Sequence, residues 1–346
     1  MEVDIKDRDV LGGNGFIEKQ NSNISSRCNF TTTMSKANVE LPGASFALPP
    51  RQDTLASVFT KHQLWPNSKP KMNHITLSGK TAVITGGNAG IGLECGRIML
   101  SQGLSHLILA SRSVPRGEKA AEPLRKTFKG AKIEVWQLDM CSYESIKVFA
   151  RKCASLSRLD SVILGAGIMN VDFQSSSETG HEEMFQVNYL SQALLGLLLL
   201  PILQAKNTPG SPGHLTLVAS GAAMIAKFTE RDEVHMIKAL DKSEHWTSSV
   251  AKLRYDDTKG MVLILTHKLS LLVDPKRTIV NVVDPTFTPG TGFFRQIPLL
   301  MRVILWPIVT LIGTSVNNAG WRYFDGAVAR GEGSHGSLVS DWEISP

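Results

Sequence analysis

The sequence predicts an α/β fold: a doubly wound parallel sheet in a single domain, carried behind a disordered N-terminal extension. Three observations predict it. From Leu77 onward, short apolar runs rich in Val, Ile and Leu alternate with helical patterns, the mark of successive β-α-β units and a sheet covered on both faces. A glycine-rich turn joins the first of these runs to the first helix. The chain has 346 residues, 42% hydrophobic and 20% charged, enough to bury such a sheet without disulfides or metals.

The elements follow in order. Residues 1 to about 45 mix Gly, Asn, Ser and Thr with charges and keep no apolar period, so they are expected to be disordered. The rest of the extension, to residue 75, carries Pro49, Pro50, Pro66 and Pro70 but also Phe46, Leu55, Phe59 and Trp65, which suit a segment lying against the domain. A single folded domain is expected over 76–346. Its first strand is Thr81–Thr85, followed by the glycine turn and a helix from Gly90 to Gln102. His106–Ala110 is the second strand, with a charged helix over Arg116–Lys129; Lys132–Leu138 is the third, with a helix from Ser142 to Ser155. Ser161–Leu164 is the fourth and leads, after a long loop, to a helix over Glu182–Leu203. His214–Val218 and Thr278–Val283 are the fifth and sixth.

Composition excludes several function classes. The formal charge is +6, but Lys and Arg are scattered among carboxylates rather than gathered in a stripe, so no nucleic-acid partner is expected. Cys28, Cys95, Cys141 and Cys153 show no CxxC spacing; reduced thiols, no metal site and a cytoplasmic location follow. The apolar run Leu194–Leu203 is shorter than the roughly 20 residues a membrane span needs and is interrupted by Pro201, which favours a helix in the core or at a subunit interface. The segment 297–312 is also apolar but contains Arg302 and Pro307. No span is expected there, while shallow membrane contact is left open.

The turn Thr85-Gly86-Gly87-Asn88-Ala89-Gly90-Ile91-Gly92 has the physics of a dinucleotide loop. Small residues let backbone N–H groups approach a pyrophosphate, and the helix N-terminus adds positive potential. Such a turn is a weak signal alone and a strong one between a strand and a helix. Its glycines at 86, 90 and 92 resemble the TGxxxGxG loop of the short-chain dehydrogenase/reductase family, and the resemblance runs from Leu77 to the C-terminus, implying a Rossmann-like fold. Asn88 and Ile91 fall inside that loop. The second strand ends Ala110-Ser111-Arg112 with no carboxylate before Glu118. An Arg there accommodates a 2′-phosphate where an Asp or Glu would bind ribose hydroxyls, so the coenzyme is expected to be NADP(H). The resemblance makes Asp139 the adenine contact. It also aligns Leu164-Gly165-Ala166-Gly167 with a family Asn-Asn-Ala-Gly; both Asn are absent here, and the Ala-Gly turn remains.

Reduction of a carbonyl needs a proton donor on oxygen as hydride arrives at carbon. Tyr255 and Lys259 are spaced i,i+4 and share a helix face, where an ammonium can lower the phenol's pKa. They match the family's Tyr-x3-Lys. By the same resemblance Lys259 also binds the nicotinamide ribose, Ser220 holds the substrate oxygen, and Asn188 completes a proton relay. Asn188 is independently odd, since Asn competes with helix hydrogen bonds and this helix is largely apolar. Ser220 and Tyr255 are 35 positions apart, more than in most family members. The inserted segment, about 222–252, with Lys227, Arg231, His235, His245 and Trp246, is expected to be a surface loop and its histidines not to be ligands. This segment and Phe185-Gln-Val-Asn188 resemble the retinol-dehydrogenase-like branch. In Asp284-Pro285-Thr286-Phe287-Thr288, Thr286 replaces the family's Gly, and Thr288 is the expected carboxamide contact.

The apolar 297–312 segment falls where the family places its substrate lid and implies a hydrophobic small-molecule substrate. The C-terminal residues from Gly331 resemble those of fungal members, many of them in secondary-metabolite pathways on polyketide or terpenoid intermediates. By resemblance, helices 182–203 and 254–272 are homodimer faces. The expectation is an NADP-dependent oxidoreductase interconverting a carbonyl and a secondary alcohol, with reduction favoured by an NADPH coenzyme. The alternatives are a non-catalytic NADP(H)-sensing protein, which the intact Asn188, Ser220, Tyr255 and Lys259 argue against, and a membrane-attached scaffold working through 297–312.

Overall fold

The computed structural model describes residues 67–72, 74–289 and 313–345, with Ser45 and Leu48. The disorder expected up to residue 45 and the apolar segment 297–312 therefore lie outside the described residues, as do Phe46, Leu55, Phe59 and Trp65.

One eight-stranded sheet organises the chain, in the order β3-β2-β1-β4-β5-β6-β7-β8. Strands β1 (Thr81–Thr85), β2 (His106–Ser111), β3 (Lys132–Gln137), β4 (Ser161–Leu164), β5 (Gly213–Val218), β6 (Thr278–Asp284) and β7 (Leu338–Ser340) are parallel. Only β8 (Glu343–Ser345) runs antiparallel, as a hairpin partner of β7. The connections between strands are α1 (Gly90–Ser101), α2 (Val114–Thr127), α3 (Tyr143–Ala154), α4 (Glu183–Lys206), α5 (Met236–Leu240), α6 (Ser248–Ser270) and α7 (Val316–Phe324).

Alternation along each strand sends side chains to two separate cores. Val83, Ile108, Val162, Leu215 and Val280 pack against Phe149 of α3, Leu199 of α4 and Val262 of α6. Their neighbours Ile84, Leu107, Leu109, Ile163 and Val283 pack on the other face against Ile98 of α1, Leu124 of α2 and Phe324 of α7. The sheet is thus buried on both sides, which is why its strands read as continuous apolar runs. Register brings Thr85 of β1 level with Ala110 of β2 and Leu164 of β4. Strand order reverses between β1 and β4, and a crevice opens outside their carboxyl ends.

The described part of the extension is attached to the C-terminal hairpin. The Ser45 N–H donates to Ser337 Oγ (2.9 Å) and its hydroxyl accepts the Leu338 N–H (2.8 Å). The Asn67 N–H donates to the Asp341 carboxylate (2.8 Å), the Lys69 ammonium stands 3.7 Å over the Trp321 ring, and Met72 is buried in the second core.

Two departures from the sequence reading have clear causes. The hairpin β7–β8 went unread because its strands have three residues each and its turn uses Asp341 and Trp342 at φ 49° and 70°, positions where Asn-Gly or Asp-Gly would normally signal a hairpin. Asp341 is held there by buried Arg322 (2.9 Å). Length does not exclude a membrane span, contrary to the expectation from the run Leu194–Leu203. Helix α4 has 24 residues and passes through Pro201, long and apolar enough to cross a membrane by length and composition. Burial is what argues for a core helix, since 56% of its most apolar window is covered by the rest of the protein.

Candidate active site

The glycine turn is dictated by contact distance. Gly86 has φ +68°, and a Cβ on it would stand 3.2 Å from Ala166 Cα; one on Gly92 would stand 3.0 Å from the Gly86 carbonyl oxygen. A side chain at Gly86 would press on the turn after β4, and one at Gly92 would press α1 against its own glycine turn. Gly90, at φ +55°, starts α1. The residue before the helix, Ala89, offers no side-chain cap and the first turn holds no acid. The leading N–H groups of α1 and its dipole are therefore directed at the crevice, where they suit an anion. Asn88 and Ile91 border this cradle, both partly exposed.

The turn at Gly165 and Ala166 lacks the two asparagines of the resembling family, and other residues hold it. Thr85 Oγ1 accepts the Ala166 N–H (3.0 Å), and Gln192 Nε2 donates to the Ala166 carbonyl (2.9 Å). Gln192 sits one helical turn after Asn188. A second amide at i+4 in an apolar helix was the signal that could have found it; Thr85 is unremarkable in sequence.

Arg112 follows β2 directly and is exposed. The next helix, α2, has no acidic residue in its first turn. One strand further on, Asp139 Oδ1 accepts the Cys141 N–H (2.9 Å). The Cys141 thiol is pushed up to about 12 by burial and by the charges of Glu183 and Asp139, with the Arg112 charge opposing them. Arg112 and Asp139 therefore both lie within electrostatic reach of the Cys141 thiol.

The second group of residues converges from three elements. Helix α4 contains a π turn, Gln186–Leu190, a widening of the kind found at functional sites, and Asn188 lies inside it. Its Oδ1 accepts the Ile168 N–H (2.8 Å), and its Nδ2 donates to the Ile168 carbonyl (2.9 Å) and to Thr258 Oγ1 (3.2 Å). A Cβ on Gly167 would be 3.3 Å from Asn188 Oδ1 and 3.4 Å from Lys259 Nζ, so the amide and the ammonium border the same small space. Lys259 Nζ donates to the Val218 carbonyl at the end of β5 (3.0 Å). Two residues later Ser220 shares a side-chain hydrogen bond with Tyr255. Asn188, Ser220, Tyr255 and Lys259 are thus brought together around the tip of β5.

Burial sets the electrostatics. It lowers the Lys259 ammonium to about 8, against the opposing charge of Asp284. It raises the Tyr255 phenol, and Asp284 and Asp256 add to that rise while the Ser220 bond opposes it. The i,i+4 spacing predicts that Lys259 depresses this phenol. Here the ammonium lies 5.8 Å from the ring centroid, and desolvation outweighs it.

Thr288 is buried, with its hydroxyl donating toward the Pro285 and Thr286 carbonyls (3.4 and 3.2 Å). Thr286 occupies φ +62°, the left-handed region that the family's Gly would enter without cost. Its backbone N–H donates to Asp284 (2.8 Å) and its hydroxyl meets Thr314 Oγ1 (2.8 Å).

The inserted segment is more than a surface loop. His235 and His245 are exposed, yet the stretch is clasped from below. Buried Asp257 accepts the N–H groups of Lys227 and Phe228 (2.7 and 2.9 Å), and Trp246 Nε1 donates to the Val171 carbonyl (2.9 Å). Arg254, next to Tyr255, donates to the Leu240 carbonyl, to Glu230 (3.2 Å) and to the fully buried Glu182 (3.5 Å). Burial raises the Glu182 carboxyl; the Met184 and Phe185 N–H groups and Arg254 pull it back. Arg254→Met strands that carboxylate, at a cost of about 3 kcal/mol at neutral pH. With Arg254 gone, the folded pKa of Glu182 rises further above its unfolded value. Stability is then fully present below the unfolded value and is lost as pH rises through the folded one. The deficit of the variant should therefore shrink on acidification, which urea melts at two pH values would read. A deficit independent of pH would assign Arg254 to the Leu240 bond alone.

The family model described as short chain dehydrogenase matches residues 80–229. The chain is 40% identical over 310 residues to the short chain dehydrogenase/reductase mfmJ of Annulohypoxylon moriforme, covering 89% of this chain and 87% of the relative. It is 38% identical over 278 residues to the short chain dehydrogenase virL of Hypocrea virens, covering 80% and 81%. Among solved structures, the NADPH-dependent 3-quinuclidinone reductase of Rhodotorula rubra superposes with a TM-score of 0.57 at 20% identity, covering 80% of this chain and 96% of that one.

Proposed function

The chain belongs to the short-chain dehydrogenase/reductase family, and from that premise we propose that it reduces a ketone on a hydrophobic small molecule to a secondary alcohol, using NADPH. The observation that carries the proposal is the hydrogen-bonded Ser220–Tyr255 pair, with Lys259 buried behind it, at the mouth of a glycine-lined crevice.

The residues present fit the coenzyme. The cradle of Gly86, Asn88, Gly90, Ile91 and Gly92 would hold the pyrophosphate, Arg112 the 2′-phosphate, and Asp139 the adenine. Gly165, Ala166, Asn188, Tyr255, Lys259 and Thr288 would border the nicotinamide half. Bound there, the coenzyme supplies a hydride to the carbonyl carbon. The 2′-phosphate assignment rests on the lone cation at the tip of β2 and the absence of acid in the first turn of α2, and the Rhodotorula reductase similar in fold is NADPH-dependent by name.

Ser220 orients the carbonyl oxygen and Tyr255 donates its proton to that oxygen as the carbon is reduced. A phenol is protonated at neutral pH even at its ordinary value, and burial raises it further, so Tyr255 is in the form that reduction consumes. The Lys259 ammonium supports the negative charge left on Tyr255, and Asn188 holds the Ile168 segment open beside it, where a proton can be returned. We assign the activity to fungal secondary metabolism in the cytoplasm, on a polyketide or terpenoid intermediate, and the homodimer to α4 and α6, whose Leu197 and Ile264 are half exposed.

The test is coenzyme consumption against a panel of hydrophobic ketones and quinones with NADPH and NADH in parallel. Turnover with NADPH on at least one ketone is expected. Tight NADPH binding with no turnover across the panel would favour the coenzyme-sensing reading instead.

A further inference from the structure

We propose that Asp284, the carboxylate at the tip of β6, is a positioning residue of this site, acting through its charge to hold the Lys259–Tyr255 pair in its proton-carrying form. The inference rests on the assignment of Tyr255 and Lys259 made above.

The position is unusual for a free charge. Asp284 is 5% exposed and stands where β6 enters the Pro285-Thr286 turn. Its Oδ1 accepts the Thr286 N–H (2.8 Å) and its Oδ2 accepts the Ser340 hydroxyl of β7 (3.3 Å). The same Oδ2 would lie 3.7 Å from a Cβ on Gly221, the residue after Ser220. Val283, just before Asp284, pairs with Val218, and the Val218 carbonyl receives the Lys259 ammonium (3.0 Å). The carboxylate is thus fixed at both oxygens and faces the tip of β5 around which Ser220, Tyr255 and Lys259 gather.

A buried carboxylate bound by only two neutral donors is costly without a cation to answer it. The ionisable groups that feel it are Tyr255 and Lys259 of α6 and Tyr323 of α7. Asp256, the other acid acting on Tyr255, is already paired with Lys252 at 2.7 Å, and Tyr323 is further flanked by the buried Cys95 thiol of α1. Among these groups Lys259 is the one cation. Asp284 opposes the loss of its proton that burial promotes, and it also opposes ionisation of Tyr255. Both effects favour the protonated site. In reduction, removal of Asp284 should bring the alkaline loss of activity to lower pH.

Asp284→Asn tests the charge with little change of shape, because the amide can still accept from Thr286 and meet Ser340. The readout is the NMR titration of the Lys259 side chain in the full chain labelled at lysine, assigned with Lys259→Arg. The wild-type ammonium is expected to titrate near about 8 and the Asp284→Asn ammonium about 1 unit lower. Ser340→Ala, which keeps the carboxylate, should leave the midpoint in place. An unchanged midpoint in Asp284→Asn would overturn the proposal, and so would an equal drop in Ser340→Ala, which would mean that the shape of the tip acts rather than its charge. Asp284→Ser replaces Asp284→Asn should the amide fail to fold. The titration needs neither coenzyme nor substrate, so a chain that reduces no ketone would sink the functional reading while this result still decides on Asp284.

Discussion

Replacing Tyr255 by Phe is expected to lower ketone reduction by about 1,000-fold, the middle of the range for loss of a general acid, while NADPH still binds. The ring stays, so the packing of α6 against the tip of β5 is preserved. What is lost is the hydroxyl that shares a hydrogen bond with Ser220 and carries the proton. Single-turnover NADPH oxidation, read beside tryptophan quenching on coenzyme binding, separates the two quantities. Turnover within tenfold of wild type would remove Tyr255 from the role of donor. Loss of binding together with turnover would point to a collapsed crevice and leave Ser220→Ala, which keeps the phenol, as the variant to compare.

Arg112→Asp is expected to invert the coenzyme preference. An Arg–phosphate contact is a charge-assisted hydrogen bond worth about 1.5–3 kcal/mol, so its loss weakens NADPH by roughly 10- to 150-fold. The new carboxylate then repels the 2′-phosphate and offers an acceptor to the ribose hydroxyls of NADH. Because Arg112 is exposed and follows β2 rather than lying within it, the fold should tolerate the change. Kd for both coenzymes by titration calorimetry checks it. Equal losses for NADPH and NADH would show that Arg112 supports the segment of Asp139 and Cys141 rather than the phosphate.

Much of this was legible before folding because the relevant interactions are local. The strands β1 to β6 announced themselves as short apolar runs, since a parallel sheet buried on both faces needs them. The glycine turn was readable because it is a local pattern between a strand and a helix, and the structure shows the reason: a Cβ at Gly92 or Gly86 would stand only 3.0–3.2 Å from backbone atoms, and Gly86 has φ +68°. That Tyr255 and Lys259 share a helix face was readable because i,i+4 spacing is a property of the helix itself; their expected roles came from the family resemblance.

Other features had no local signature. The β7–β8 hairpin depends on Asp341 and Trp342 in left-handed conformations, held by Arg322 and Asn67 from distant segments. The clasp on the insertion depends on Arg254, Asp257 and Trp246 reaching partners from 14 to 75 positions away. In sequence these read as ordinary surface residues.

The sequence by itself determined the order of the elements from β1 to β6 and the glycine turn, because backbone periodicity and steric limits act over a few residues, while Asn188, Ser220, Tyr255 and Lys259 were singled out by resemblance to the family's pattern. The tertiary structure alone decided the charge environment of those side chains. Burial lowers Lys259, raises Tyr255 and brings the carboxylate of Asp284 to the tip of β5, and desolvation is a property of everything packed around a group rather than of its neighbours in the chain.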